Sequence, residues 1–249
     1  MIELFSYNRE DYLQIKPTTF IQEKLNCDVR AKLKWCNLKC SIIITTEVLA
    51  NFREQLQSLV DSAEQKLCCL NSADLAIHLK FHPSGSIVWN IQLKNEKWDC
   101  SFGMKADRTA ISEVVCQIGQ DMDDLVSVDA VLPNQSAEPR FLMALTSIDT
   151  YSSLWILEFT SNDGNFWVCH QLKIEDEEIN ELVTGLNNLL RYGSSFDFAP
   201  LDDFIHLSFK KDDEGQYEIY AIIQQIESGR IRFQGRLDEH NLYALTSKN

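Results

Sequence analysis

The sequence predicts an α+β protein of two tandem units, each an antiparallel sheet with helices packed on one face. Three observations carry this. Ile77-His78-Leu79-Lys80-Phe81 returns as Ile205-His206-Leu207-Ser208-Phe209, about half of the 249-residue length further on. Each copy is preceded by an amphipathic stretch, near Thr46 to Val60 and near Asp176 to Leu190. Each is followed by a glycine turn, Gly85 or Gly215, and by strand-like runs closing on Phe102-Gly103 and Phe233-Gln234-Gly235. The expected boundaries are 1–131 for the first unit, 132–139 for a linker and 140–249 for the second unit. Pro133 and Pro139 bracket small and polar residues in that linker, which blocks helix and central strand alike.

In the first unit, Val29 to Trp35 and Leu38 to Thr45 read as strands, the second ending in the β-branched run Ile42-Ile43-Ile44-Thr45. Thr46 then serves as the expected N-cap of a helix. Val48, Leu49, Phe52, Leu56, Leu59 and Val60 fall on one stripe of it, the spacing that buries a helix face against a sheet. Strands follow at Leu75 to Phe81, Ile87 to Leu93 and Trp98 to Met104, joined by turns short enough for antiparallel neighbours. Asp107 caps a second helix over Arg108 to Ile118, with Ile111, Val114, Val115 and Ile118 as its apolar face.

The second unit repeats the order. Strands are expected at Phe141 to Ile148, Leu154 to Thr160 and Phe166 to Ile174. A helix follows with Ile179, Leu182, Val183, Leu186, Leu189 and Leu190 on its apolar side, and Gly193 ends it. Strands at Phe204 to Phe209, Tyr217 to Ile223 and Arg230 to Gly235 precede a last helix from Glu239 to Thr246.

With 45% hydrophobic and 24% charged residues, the chain has the composition of an ordinary globular protein. Its net charge is −14. Residues 1–130 hold 14 Lys and Arg against 18 Asp and Glu, whereas residues 131–249 hold 9 against 19. This balance disfavours nucleic acid and anionic membranes, which are bound through Lys and Arg, and suits a basic protein partner. No apolar run is long enough to span a bilayer, and Met1-Ile2-Glu3-Leu4-Phe5 lacks the basic and apolar regions of a signal peptide, so a cytoplasmic location is expected. Seven of the eight cysteines lie in the first half, with Cys169 alone in the second. A disulfide framework would respect both repeats, so free and mostly buried thiols are expected.

Catalytic motifs are missing: there is no Gly-x-Ser-x-Gly elbow, phosphate-binding Gly-x-x-x-x-Gly-Lys loop, Gly-x-Gly-x-x-Gly turn or His-Glu-x-x-His pair. Strand alternation points His78 away from the core face of Ile77, Leu79 and Phe81, which argues against a metal site with His82, Cys68 and Cys69. Cys36 and Cys40 have a looser spacing than a zinc knuckle and no matching second pair. No catalytic residue, metal or cofactor is therefore expected.

The strongest polar signal is acidic. Asp121, Asp123 and Asp124 form one cluster; Glu175, Asp176, Glu177 and Glu178 with Glu181 form another; Asp202 with Asp203, and Asp212, Asp213 and Glu214, complete the set. Carboxylates in a first helical turn are favoured by the helix dipole, and Asp212-Asp213-Glu214-Gly215 suits a hairpin turn. Neither accounts for three such clusters in one unit without compensating lysines. The second-unit acids are accordingly the expected partner-binding residues, with Trp155, Trp167, Tyr217 and Tyr220 as candidate anchors beside them.

The order strands, helix, strands, helix, with Ile44-Thr45-Thr46-Glu47 leading into the helix around Phe52 and Leu56, resembles the WapI-type immunity proteins of bacterial polymorphic toxin systems. The resemblance covers each unit separately, so this chain would be a tandem version. It implies a small acidic α+β protein, bacterial and non-enzymatic, that binds and neutralises a basic protein toxin such as a nuclease, as a monomer or homodimer. That family has no catalytic motif to match, and no binding residue transfers by position. The alternatives are a self-assembling structural or scaffold protein, and a cysteine-dependent enzyme with one unusually reactive thiol.

Overall fold

The computed structural model describes residues 2–61, 68–81, 86–123, 140–148, 154–200, 205–225 and 229–246. It is a mixed α and β protein with fifteen strands and four helices among the described residues. It divides into two compact units, Met1–Asn134 and Gln135–Asn249. The expected linker at 132–139 lies outside the described residues.

In the first unit β1 (Ile2–Phe5), β2 (Tyr12–Ile21), β3 (Lys24–Lys32) and β4 (Cys36–Thr45) form an antiparallel meander. Helix α1 (Thr46–Asp61) follows, then a second antiparallel run of β5 (Cys68–Asn71), β6 (Leu75–Phe81), β7 (Ile87–Lys94) and β8 (Trp98–Ala106), then α2 (Thr109–Asp123). Period-two burial dictates the strands: Leu25, Cys27, Val29 and Ala31 of β3 are buried while Lys24, Arg30 and Lys32 are exposed. Helix α1 packs on α2 and β5, and the buried face of α2 is Ile111, Val114, Val115 and Ile118.

Four expectations change here. Sequence reading omits β1, β2 and β5, and begins the β3 strand at Val29 where the ladder with β4 already runs from Lys24. Val60 is exposed because it falls past the edge of the α1 stripe formed by Leu49, Phe52, Leu56 and Leu59. Thr46 is the first helical residue, so the cap is Thr45, whose Oγ1 accepts from Val48 N at 3.4 Å. Thr46 N instead donates to Glu23 O at 3.0 Å, in the two-residue turn between β2 and β3. Gln22 (φ 49°) and Glu23 (φ 64°) both adopt the left-handed region there, the conformation of a tight hairpin that usually selects Asn or Gly.

In the second unit β9 (Arg140–Ser147), β10 (Leu154–Ser161) and β11 (Phe166–Lys173) pair antiparallel. Helix α3 (Asp176–Tyr192) leads to β12 (Phe196–Phe198), β13 (Ile205–Lys211), β14 (Tyr217–Gln225), β15 (Gly229–Leu237) and α4 (Glu239–Thr246). The last four strands are antiparallel, and β15 meets β9 in parallel through Arg236↔Arg140 and Leu237↔Phe141. Phe141, Phe159, Phe166 and Phe233 form one aromatic cluster in the core, with ring centroids 4.8–5.9 Å apart. Helix α3 packs on β12 and β13 through Ile179, Leu182, Leu186 and Leu189, all buried. Val183 and Leu190 at the edges of its stripe are half-buried. Gly193 takes φ 68° and its N–H donates to Leu189 O at 2.9 Å, a left-handed cap that stops the helix.

Candidate functional site

The acidic clusters of the second unit do not form one face. The turn between β13 and β14 lies beside the C-terminal end of α3, since a Cβ at Gly193 would stand 3.6 Å from Lys211 Cδ. The acids at Glu175 to Glu181 sit at the other end of the helix, about 25 Å away for its seventeen residues at about 1.5 Å rise each. Asp202 and Asp203 lie outside the described residues, as do Asp124 and the side chains of Asp121 and Asp123.

Within each cluster the acids divide into structural and exposed. Glu175 precedes α3, and its N–H donates to the Glu178 carboxylate at 2.9 Å, one half of a capping box. Asp176, Glu177 and Glu181 are exposed, and no cation pairs with them among the described residues. In the turn, Asp212 Oδ1 accepts from Gln216 N at 2.7 Å, and Gly215 takes φ 83° to close the hairpin. Arg236 reaches Glu214 at 3.2 Å and Asp212 at 4.0 Å. Asp213 alone points out of this turn without a role in it among the described contacts. The hairpin therefore uses most of its acids to hold itself, and the unspent negative charge stands at the start of α3.

The opposite side of the unit carries the cations. Core positions alternate along β13 to β15 as Ile205, Leu207 and Phe209, then Ile219, Ala221 and Ile223, then Ile231 and Phe233, all buried, with α3 packed on β13. The intervening positions face outward, and they hold Lys210, Arg230, Arg232 and Arg236. Glu218 is the only outward acid on these three strands, and its carboxylate meets Lys210 Nζ at 2.8 Å. The same parity holds in the first unit, where Arg30 and Lys39 are direct cross-strand partners. Acids share the outward positions elsewhere, Asp28 on β3 and Asp99 on β8 in the first unit and Glu158 on β10 and Asp197 on β12 in the second, so charge is not segregated by layer.

The candidate aromatic anchors separate in the same way. Tyr217 is 4% exposed and belongs to the core, because it shares the inward parity of Ile219 and Ala221. Trp155, Trp167 and Tyr220 are half-buried, with Tyr220 outward on β14 between Ser208 and Gln234.

All eight cysteines are free. Cys27, Cys36, Cys40, Cys68 and Cys100 are buried, and Cys116 is exposed. Burial pushes the Cys27 and Cys68 thiols up to about 12 and raises those of Cys40 and Cys100 well above the ordinary range. Such thiols are poor nucleophiles. No group of three His, Cys, Asp or Glu side chains suited to a metal occurs among the described residues. Among the described residues, a cavity beside His170 and Leu172, reaching Pro200 and Ile205, is lined by one imidazole and one lysine with neither carboxylate nor thiol. No helix of the described residues is long and apolar enough to cross a membrane.

No protein-family model, curated protein or solved structure matches this chain.

Proposed function

We propose that this chain is a non-enzymatic binding protein that takes a basic protein partner on the helix side of its second unit, as an immunity protein masks the active surface of a toxin such as a nuclease. The observation that supports this reading is the group of exposed acids at the start of α3. Asp176, Glu177 and Glu181 stand exposed on α3 without a pairing cation, while Lys210, Arg230, Arg232 and Arg236 occupy the far side of the sheet. The strand acids Glu218 and Asp197 lie beside Lys210 and His206, whereas the exposed acid at the start of α3 is grouped and meets no cation among the described residues. Concentrated on one side, it raises the encounter rate with a basic partner and leaves a salt-sensitive association. High thiol pKa values at Cys27 and Cys68 weigh against the cysteine-enzyme alternative.

We also read the two units as copies of one ancestral unit, cytoplasmic and bacterial in setting. Its support is that β6 and β13 each precede two further antiparallel strands and a helix, with Ile77, Leu79, Ile205 and Leu207 buried at matching positions. The functional reading is tested by capture of the tagged chain from lysate of its source organism at low and moderate salt. A stoichiometric basic protein, retained by the wild type and lost by D176K/E177K/E181K, is expected. Recovery of the chain alone, or a partner indifferent to the three reversals, contradicts it.

A further inference from the structure

We propose that the outward face of β1 to β4 in the first unit binds a short stretch of single-stranded nucleic acid, with bases stacked on Phe5 and Tyr12 and phosphates held by Arg30, Lys32 and Lys39. The whole-chain balance that disfavours nucleic acid is an average. Residues 1–130 hold fourteen Lys and Arg against eighteen Asp and Glu, yet the outward positions of these four strands carry Lys16, Lys24, Arg30, Lys32 and Lys39 against Glu3 and Asp28. The face belongs to the first unit and does not depend on the reading given for α3.

The register sets the platform. Phe5 pairs with Tyr12, and their ring centroids stand 4.9 Å apart, with Phe5 49% exposed. Tyr12 lies directly across from Lys32, and Arg30 directly across from Lys39. From Tyr12, Arg30 is about 8 Å away and Lys39 about 12 Å, for strands about 4.8 Å apart and alternate residues about 6.8 Å apart. Like charges directly opposite in a ladder repel, and Arg30, Lys32 and Lys39 form no ion pair among the described residues. A phosphate set between Arg30 and Lys39 relieves that repulsion and accepts charge-assisted hydrogen bonds from both.

The acids on and around this face have partners of their own. Glu3 accepts from Gln14 Nε2 at 2.8 Å and from the Tyr12 hydroxyl. Asp28 lies 3.5 Å from Ser41 Oγ on one side and across from Lys16 on the other. Past the strand ends, Glu10 accepts from Asn8 and Asp11 from Lys34 N, while Asp74 accepts from Ile43 N. A single strand suits the face better than an acidic polypeptide. Carboxylates alone would use the cations and leave the two rings idle, whereas bases on rings and phosphates on cations use both. Five cations against two acids is a small excess, so the strand held is short and its affinity falls with salt.

The test uses the full chain and fluorescein-labelled octathymidylate, followed by anisotropy from low to moderate salt. Wild type is expected to bind. R30Q/K39Q is expected to weaken binding by about tenfold with the circular dichroism spectrum kept, and to make the slope of log affinity against log salt shallower by about 1.4, since two phosphate contacts are lost. K32Q, in case the double variant disturbs folding, is expected to weaken binding severalfold. Phe5→Ala is expected to weaken it about fivefold or more at an unchanged salt slope, because it removes a stacking ring and no charge. K80Q/K94Q, which neutralises cations of β6 and β7, is expected to leave the affinity within about twofold. Failure of octathymidylate to bind the wild type overturns the proposal, as does equal weakening in K80Q/K94Q or full affinity in Phe5→Ala. Tighter binding of octaglutamate than of octathymidylate assigns the face to an acidic polypeptide and overturns it. Concentration-dependent self-association that R30Q/K39Q abolishes, and that octathymidylate does not displace, assigns the face to a second copy and also overturns it.

Discussion

The buried thiols make the fold intolerant of alkaline pH, and the size of the effect follows from their burial. Cys27, Cys40, Cys68 and Cys100 are each at most 2% exposed. Low-dielectric surroundings disfavour the thiolate, so in the native state these thiols keep their protons to about pH 12 for Cys27 and Cys68 and past the ordinary range for the other two. In the unfolded chain they ionise near pH 9.0. Below that value both states are protonated, and the raised native pKa has no effect. Above it the unfolded state alone releases protons, so stability is lost as pH rises. At pH 10 each thiol costs about 1.4 kcal/mol, and the four together about 6 kcal/mol. That is comparable with the whole stability of many domains. Urea unfolding at pH 8 and pH 10 reads the difference directly. Cys40→Ala should lower the pH 8 stability by about 1–2 kcal/mol and shrink the pH-dependent difference by about 1.4 kcal/mol. Equal unfolding midpoints at the two pH values refute the argument, because they require thiolates that are no more costly inside than outside.

Three further outcomes are expected. Gly185→Ala in α3 should destabilise the second unit by about 1–3 kcal/mol despite the better helix propensity of alanine, because the new Cβ would lie 2.4 Å from the Phe196 ring; thermal denaturation measures this, and Phe196→Leu should recover part of the loss. Q22N/E23G should stabilise the first unit by about 1 kcal/mol, since it places turn residues where φ is 49° and 64°, and a fall in the urea midpoint would contradict the turn assignment. Timed alkylation of the native protein followed by mass spectrometry should modify Cys116 first and Cys27, Cys36, Cys40, Cys68 and Cys100 only on unfolding; fast modification of a buried thiol would restore the cysteine-enzyme reading.

The sequence made parts of this molecule legible where one periodicity dominates. The faces of α2 and α3 stand out because Ile111, Val114 and Ile118, and Ile179, Leu182, Leu186 and Leu189, repeat at helical spacing and are buried. The strands β6, β7 and β8 stand out by strict alternation. β2 is hidden because Pro17 interrupts it, and the register shows why it is tolerated: the ladder with β3 shifts between Pro17 and Thr19. β5 and β12 have four and three residues, too few for a period to register.

The site was legible as charge but not as place. Glu175 to Glu181 and Asp212 to Glu214 are plain in the sequence, yet only the fold puts them at opposite ends of α3. Arg236 lies 22 residues beyond Glu214, and the β14–β15 register brings it back to that turn. The cationic face had a readable signal in Arg230-Ile231-Arg232-Phe233, where charged and core residues alternate. Its meaning depended on knowing which neighbours the β14–β15 register places beside it.

The association rate of the captured basic partner with the wild type and with D176K/E177K/E181K, measured across ionic strength, tests the central claim most directly. The account predicts a fast wild-type rate that falls steeply with salt, and a variant rate at least about tenfold slower at low salt with a flattened salt dependence. Equal rates and equal salt slopes for the two proteins would contradict the claim that the exposed acids of α3 receive the partner.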